Sequence, residues 1–272
     1  MRSACEPPHG SLGLALRRPP SASSCVQPWP PSRITILDQA TSRQSRAIQV
    51  LTFWLAAFVF ANFASLLVVM VTGNAGSSSN EMSTLDTALS ATAMWIVYLF
   101  FTTQFLKVKW TDFRTTIGAT FTRRDVIVGI PLGIASQLIL VNAVNWPLAR
   151  FFPDTFSFHE VSKRASDLVD IAHGGWVVLL GLIVIVGAPI VEEIMYRGVV
   201  QPGLVASWGP SVGIVVTAVL FAAIHMQPVE LPGLFAFALV LGWARHSTGT
   251  IGMSIVTHMA FNATGLALVV LL

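Results

Sequence analysis

Charge is what this chain has least of. Asp, Glu, Lys and Arg make up 11% of its 272 residues, where a soluble globular domain carries roughly 25%. Hydrophobic residues make up 54%, and the mean hydropathy is +0.70. That balance excludes a soluble globular enzyme and points to an integral membrane protein. Cysteine is nearly absent: Cys5 and Cys25 both lie in the N-terminal stretch, so there is no disulfide framework and no metal-ligand spacing. The net charge of +3 comes largely from Arg and Lys set between apolar segments. That pattern is an orientation signal, not a nucleic-acid surface, and no nucleic-acid partner is expected. No internal repeat is visible, which argues against an inverted-repeat transporter.

Residues 1–49 are rich in Pro, Ser and Arg and carry no sustained apolar period. They are expected to form a disordered tail, and the apolar run at 12–16 is too short for the core of a signal peptide. A spanning helix needs roughly 20 apolar residues. Candidates fall at 50–72, 88–106, 126–146, 175–201, 211–225, 231–245 and 251–272, the fifth and sixth being short. The expected fold is all-α: a polytopic membrane bundle of about seven transmembrane helices. It divides into the tail at 1–49, an N-terminal transmembrane pair with a basic loop at 50–124, and a C-terminal helical core at 125–272. Arg33, Arg43 and Arg46 precede the first span, and Lys107, Lys109, Arg114, Arg123 and Arg124 follow the second. The loop between those spans has neither Lys nor Arg, so the N-terminus is expected in the cytoplasm, at the plasma membrane if the source is bacterial.

Against this background one stretch stands out, GAPIVEEIMYRGVV at 187–200. Glu192, Glu193 and Arg197 interrupt an apolar run, although a charge at the bilayer centre costs roughly 2.5–3.5 kcal/mol on insertion scales. Glu193 and Arg197 have the i, i+4 spacing of a helical ion pair, acid before base, and read as a structural pair. Glu192 is rotated about 100° from Glu193 on a 3.6-residue helix and is left free to face a cavity as a general base. Two further i, i+4 pairs follow: Phe221 with His225, and His258 with Asn262. At about 1.5 Å rise per residue, Glu192, His225, His258 and Asn262 come to a similar depth on three helices, about 11–21 Å from one membrane face. His246, in a turn beside Arg245, reads as solvated. Trp54, Trp95, Trp110 and Trp146 read as interface anchors or packing.

In this order, E-E-x-x-x-R, F-x-x-x-H and H-x-x-x-N on three membrane helices resemble the CPBP family, the CAAX-processing and bacteriocin-processing proteins, also termed Abi or Rce1-like. The resemblance spans residues 125–272 and all three motifs. It implies an intramembrane endopeptidase in which Glu192 and His225 activate the attacking water. His258 and Asn262 then form the oxyanion hole, with Glu193 and Arg197 in support. The implied partners are a peptide or membrane-protein substrate, lipidated ones included, and the lipid bilayer. No cofactor is favoured. Zinc held by Glu192, His225 and His258 is the alternative, since two His and one Glu suit a catalytic zinc ion, although no H-E-x-x-H helix is present. Other functional readings are a non-proteolytic membrane peptide-binding or bacteriocin-immunity protein, and a membrane transporter.

Overall fold

A computed structural model describes residues 33–76, 82–157 and 174–271, with 166, 167, 169, 170 and 172 between the last two segments. Every regular element among them is helical. The principal helices are α1 (Arg33–Val71), α2 (Thr84–Leu106), α3 (Trp110–Thr116), α4 (Arg123–Phe151), α5 (Trp176–Trp208), α6 (Pro210–Ala223), α7 (Leu231–Thr248) and α8 (Gly252–Leu271). Among the described residues, five stretches are long and apolar enough to cross a membrane: Ser42–Val71 of α1, and α2, α4, α5 and α8. Outward-facing Leu55, Phe60, Ile96, Ile127, Val178 and Val219 give the bundle the apolar exterior of an integral membrane protein.

The seven expected spans correspond to α1, α2 and α4–α8, and the fifth and sixth are short as expected. α6 has 14 residues, about 21 Å of helix, too little to cross a bilayer of roughly 30 Å unaided. One boundary needs correction. The first helix starts at Arg33 and not near residue 50, so residues 33–49 are helical where a disordered tail was expected. Polarity suggested a tail, but no Gly or Pro breaks the chain from Ile34 to Val71, and Ala, Gln and Arg sustain a helix. Residues 1–32 lie outside the described residues.

Local chemistry sets the other ends. Ser83 caps α2 by accepting the Asp86 N–H at 3.1 Å. α4 opens with a reciprocal cap: the Thr122 N–H donates to the Asp125 carboxylate at 2.6 Å, and the Asp125 N–H donates to the Thr122 hydroxyl at 3.4 Å. Together they satisfy two of the N–H groups that a helix start leaves without partners. α7 stops at Gly249, whose φ of +72° is a left-handed conformation that glycine adopts without strain.

Helices approach closely where glycines line the seam. α4 and α8 run side by side with Gly129 against Val256 and Gly133 against the Thr257 backbone. α1 and α2 pack on α5 through Val50 at Gly203 and Trp95 at Gly187. Trp54, Trp95, Tyr98, Val191, Tyr196 and Phe221 thereby share one core. A Cβ on Gly133 would collide with the Thr257 carbonyl oxygen, a backbone atom with little freedom to move. Gly133→Ala should therefore lower the melting temperature of the purified protein through overpacking worth about 1–3 kcal/mol. Gly265→Ala, whose Cβ would meet the Gln137 side chain at 3.5 Å, should melt like the parent.

Candidate active site

α5 carries the charged motif and is not a uniform helix. Its hydrogen bonding widens to π-helical turns at Leu182–Gly187 and Tyr196–Val200, with α-helix at Ala188–Met195 between them. Pro189 and Pro202 stand just after the two wide turns. A proline ring clashes with the carbonyl four residues earlier and brings no N–H, so a locally wider turn relieves the helix. In the first wide turn the last bond runs from the Ala188 N–H to the Ile183 carbonyl. The next donor in that register would be Pro189 and its acceptor Val184. The second turn repeats the pattern: the Gln201 N–H reaches the Tyr196 carbonyl, and Pro202 then fails to serve Arg197. Both abandoned carbonyls are taken from other helices. The Asn262 amide donates to the Val184 oxygen at 2.8 Å, and the Arg245 Nε–H donates to the Arg197 oxygen at 2.9 Å.

Between the wide turns the two carboxylates part company. Glu193 and Arg197 are completely buried and joined at 2.8 Å. The Arg197 Nη2 also donates to the Ala238 carbonyl of α7 at 3.2 Å, and its guanidinium carbon lies 4.7 Å from the Phe221 ring centroid. This is a favourable cation–π placement in a desolvated setting. The Glu192 side chain retains 20% of its exposure and lies 3.8 Å from His258.

His258, buried on α8, is bracketed by both acids. Its Nδ1 lies 3.1 Å from Glu193 Oε1, and its Nε2 lies 3.8 Å from Glu192 Oε2. Ionised Glu193, held by Arg197, can only accept, so Nδ1 carries the proton in that contact and Nε2 is presented to Glu192. Phe221 and Phe237 hold the ring edgewise at centroid distances of 5.7 and 5.5 Å. His225 closes α6: its Nδ1 hydrogen-bonds the Phe221 carbonyl at 2.9 Å, which leaves Nε2 free, and its ring lies 5.0 Å from that of Phe221. Thus Glu192, Glu193, Arg197, Phe221 and His258 converge, and His225 adjoins them through Phe221.

Asn262 is the residue the arrangement sets apart. It lies one turn beyond His258 on α8, and its amide meets α5 at Val184, roughly two turns before Glu192. Among the described residues, no three His, Cys, Asp or Glu side chains gather closely enough to hold a metal ion. Of the alternative zinc set, only Glu192 and His258 approach each other, at 3.8 Å.

Three contributors escaped the sequence reading. In the sequence Arg245 marks only the end of the sixth span and Gln201 the end of the fourth, and Trp54 reads as an anchor or packing. Gln201 is buried and donates to the Gly242 carbonyl at 2.8 Å. The Trp54 indole donates to the Tyr196 hydroxyl at 3.0 Å. A polar residue within an apolar run was the available signal for Gln201; the partners of the other two are not encoded locally.

A family model described as "Type II CAAX prenyl endopeptidase Rce1-like" matches residues 174–264. The matched stretch, about a third of the chain, contains all three motifs and bears out the resemblance read from them. No curated protein and no solved structure matches the chain.

Removing the guanidinium would leave Glu193 buried without a counter-charge. Arg197→Ala is expected to cost about 3–5 kcal/mol, read as a large fall in melting temperature. Melting like that of the parent protein would contradict the ion pair described here.

Proposed function

We propose that this protein is an intramembrane endopeptidase that hydrolyses a peptide bond with water activated by Glu192 and His225. One observation carries the reading. Of two adjacent acids in a membrane helix, Glu193 is locked between Arg197 and His258, while Glu192 keeps a partly open carboxylate 3.8 Å from the His258 ring. The match of residues 174–264 to a prenyl endopeptidase family supports the same reaction class.

The mechanism uses groups already in place. In this scheme the attacking water is shared by the Glu192 carboxylate and the His225 Nε2, the ring nitrogen left free when Nδ1 bonds the Phe221 carbonyl. The Glu192 carboxylate takes a proton from the water as its oxygen attacks the peptide carbonyl carbon. The resulting oxyanion is met by an Nε2–H of His258, whose ring Glu193 orients, and Asn262 joins as second donor only by turning its amide from the Val184 carbonyl toward the site. The C–N bond then breaks, and Glu192 returns its proton to the departing amine. Catalysis so described needs no Ser or Cys nucleophile, and no step passes through a metal ion.

The substrate is a peptide or a membrane-protein segment. A lipidated C-terminal CAAX sequence is the candidate that the family description names. The basic residues Arg43 and Arg46 before the first apolar run favour a cytoplasmic N-terminus.

Turnover of a quenched fluorescent peptide ending in a farnesylated CAAX sequence tests the assignment. Glu192→Gln should abolish cleavage while melting as the parent does, because Glu192 carries no structural bond; full activity in that variant would end the general-base role. His258→Ala should lower the rate on the order of 10²–10³-fold by removing an oxyanion donor.

The metal question has its own measurement. Chelators should leave the rate unchanged, and elemental analysis should find no stoichiometric zinc. One zinc per chain, with activity lost on chelation and restored by zinc, would make the enzyme a metalloprotease.

A further inference from the structure

The two prolines of α5 create the same defect, and two side chains from elsewhere repair it. Arg245, near the end of α7, repairs the one that matters most to the site, because the carbonyl it caps belongs to Arg197 itself. We propose that Arg245 is a positioning residue: its guanidinium stands in for the N–H that Pro202 lacks and holds the wide turn that delivers Arg197 to Glu193, and through Glu193 sets His258. The inference rests on the peptidase reading only for its kinetic consequence.

Several observations converge on it. The Tyr196–Val200 turn has a wide register up to the Gln201 N–H, so the missing donor at position 202 corresponds to the Arg197 acceptor. Arg245 supplies a charged donor at 2.9 Å, and charge-assisted hydrogen bonds are the stronger kind. Neighbouring contacts lock the same helix pair: Arg197 to the Ala238 carbonyl at 3.2 Å and Gln201 to the Gly242 carbonyl at 2.8 Å. Positions 238, 242 and 245 succeed one another along one face of α7, as helical spacing of three and four requires. The same guanidinium lies against the loop between α3 and α4. Gly118, in that loop, has φ of +71°, and a Cβ there would stand 3.5 Å from Arg245 Nη2. The Gly118 carbonyl in turn accepts the Ile251 N–H at 2.9 Å, which ties this loop to the start of α8. The Pro189 site shows the same substitution, with the Asn262 amide on the Val184 carbonyl. A proline that removes a backbone donor just after a wide turn is thus paired twice with a side-chain donor from another helix.

The test is a double-mutant cycle between Arg245→Leu and Pro202→Ala in the full chain in detergent, read by melting temperature and by kcat and KM on the farnesylated peptide. Arg245→Leu should lower the melting temperature and lower kcat about tenfold or more with KM little changed. In the Pro202→Ala background, where residue 202 regains its N–H, the same substitution should have a clearly smaller effect on both. An Arg245→Leu loss as large in the Pro202→Ala background as in the parent would overturn the inference, as would an Arg245→Leu protein indistinguishable from the parent. The melting arm stands apart from catalysis. A parent protein that does not cleave the peptide would defeat the peptidase reading and leave the thermal coupling between positions 202 and 245 to be judged on its own.

Discussion

A completely buried ion pair, Glu193 with Arg197, is the constraint around which the rest is arranged. Two charges withdrawn from water carry a desolvation penalty of several kcal/mol each, and only good geometry with further hydrogen bonds offsets it. The bundle supplies those bonds from three directions: α7 gives the Ala238 carbonyl, α6 the face of Phe221, and α8 the His258 ring. None of these helices can shift without exposing a charge to an apolar interior. The pair therefore fixes how α6, α7 and α8 stand against α5, and with that it fixes where His258 presents Nε2. Glu192, next in sequence and turned away, inherits a prepared setting without carrying any of its load.

The irregularity of α5 belongs to the same arrangement. A uniform α-helix would satisfy its carbonyls internally and offer neighbouring helices nothing to bind. Two wide turns followed by prolines offer Val184 and Arg197 oxygens to Asn262 and Arg245. Wide turns of this kind are frequent at functional sites. Inside a membrane a bare carbonyl finds no water, so each must be answered from within the protein. The answers come from α7 and α8, whose close approach also brings His258 to the acids.

What could be read from the sequence follows from what is local. Hydropathy located the spans, because each apolar run is longer than a turn and ends at polar, Gly or Pro positions. Helical spacing found the Glu193–Arg197 bond and separated Glu192 from it, since Ala188–Met195 is α-helical and the 100° step applies there. The same arithmetic placed Asn262 level with Glu192, whereas its amide meets α5 at Val184. A uniform rise assumes straight, upright helices, and α5 contains two wide turns. Pairings across helices were beyond spacing altogether. Nothing near position 245 indicates a partner at 197. Spacing gave Glu193 one partner where it has two, because the approach of His258 depends on how α8 packs. The polar composition of 33–49 misled in the opposite sense, since helix-forming residues without a breaker continued α1 to Arg33.

Two neighbouring glutamates are thus divided, one for architecture and one for chemistry. The most direct measurement of that division is a pair of double-mutant cycles on thermal unfolding, Arg197→Met with Glu193→Gln and Arg197→Met with Glu192→Gln. The division predicts a coupling of about 0.5–3 kcal/mol for Arg197 with Glu193, as expected for residues in one buried network, and a clearly smaller one for Arg197 with Glu192. Equal couplings, or a larger one for Glu192, would contradict it.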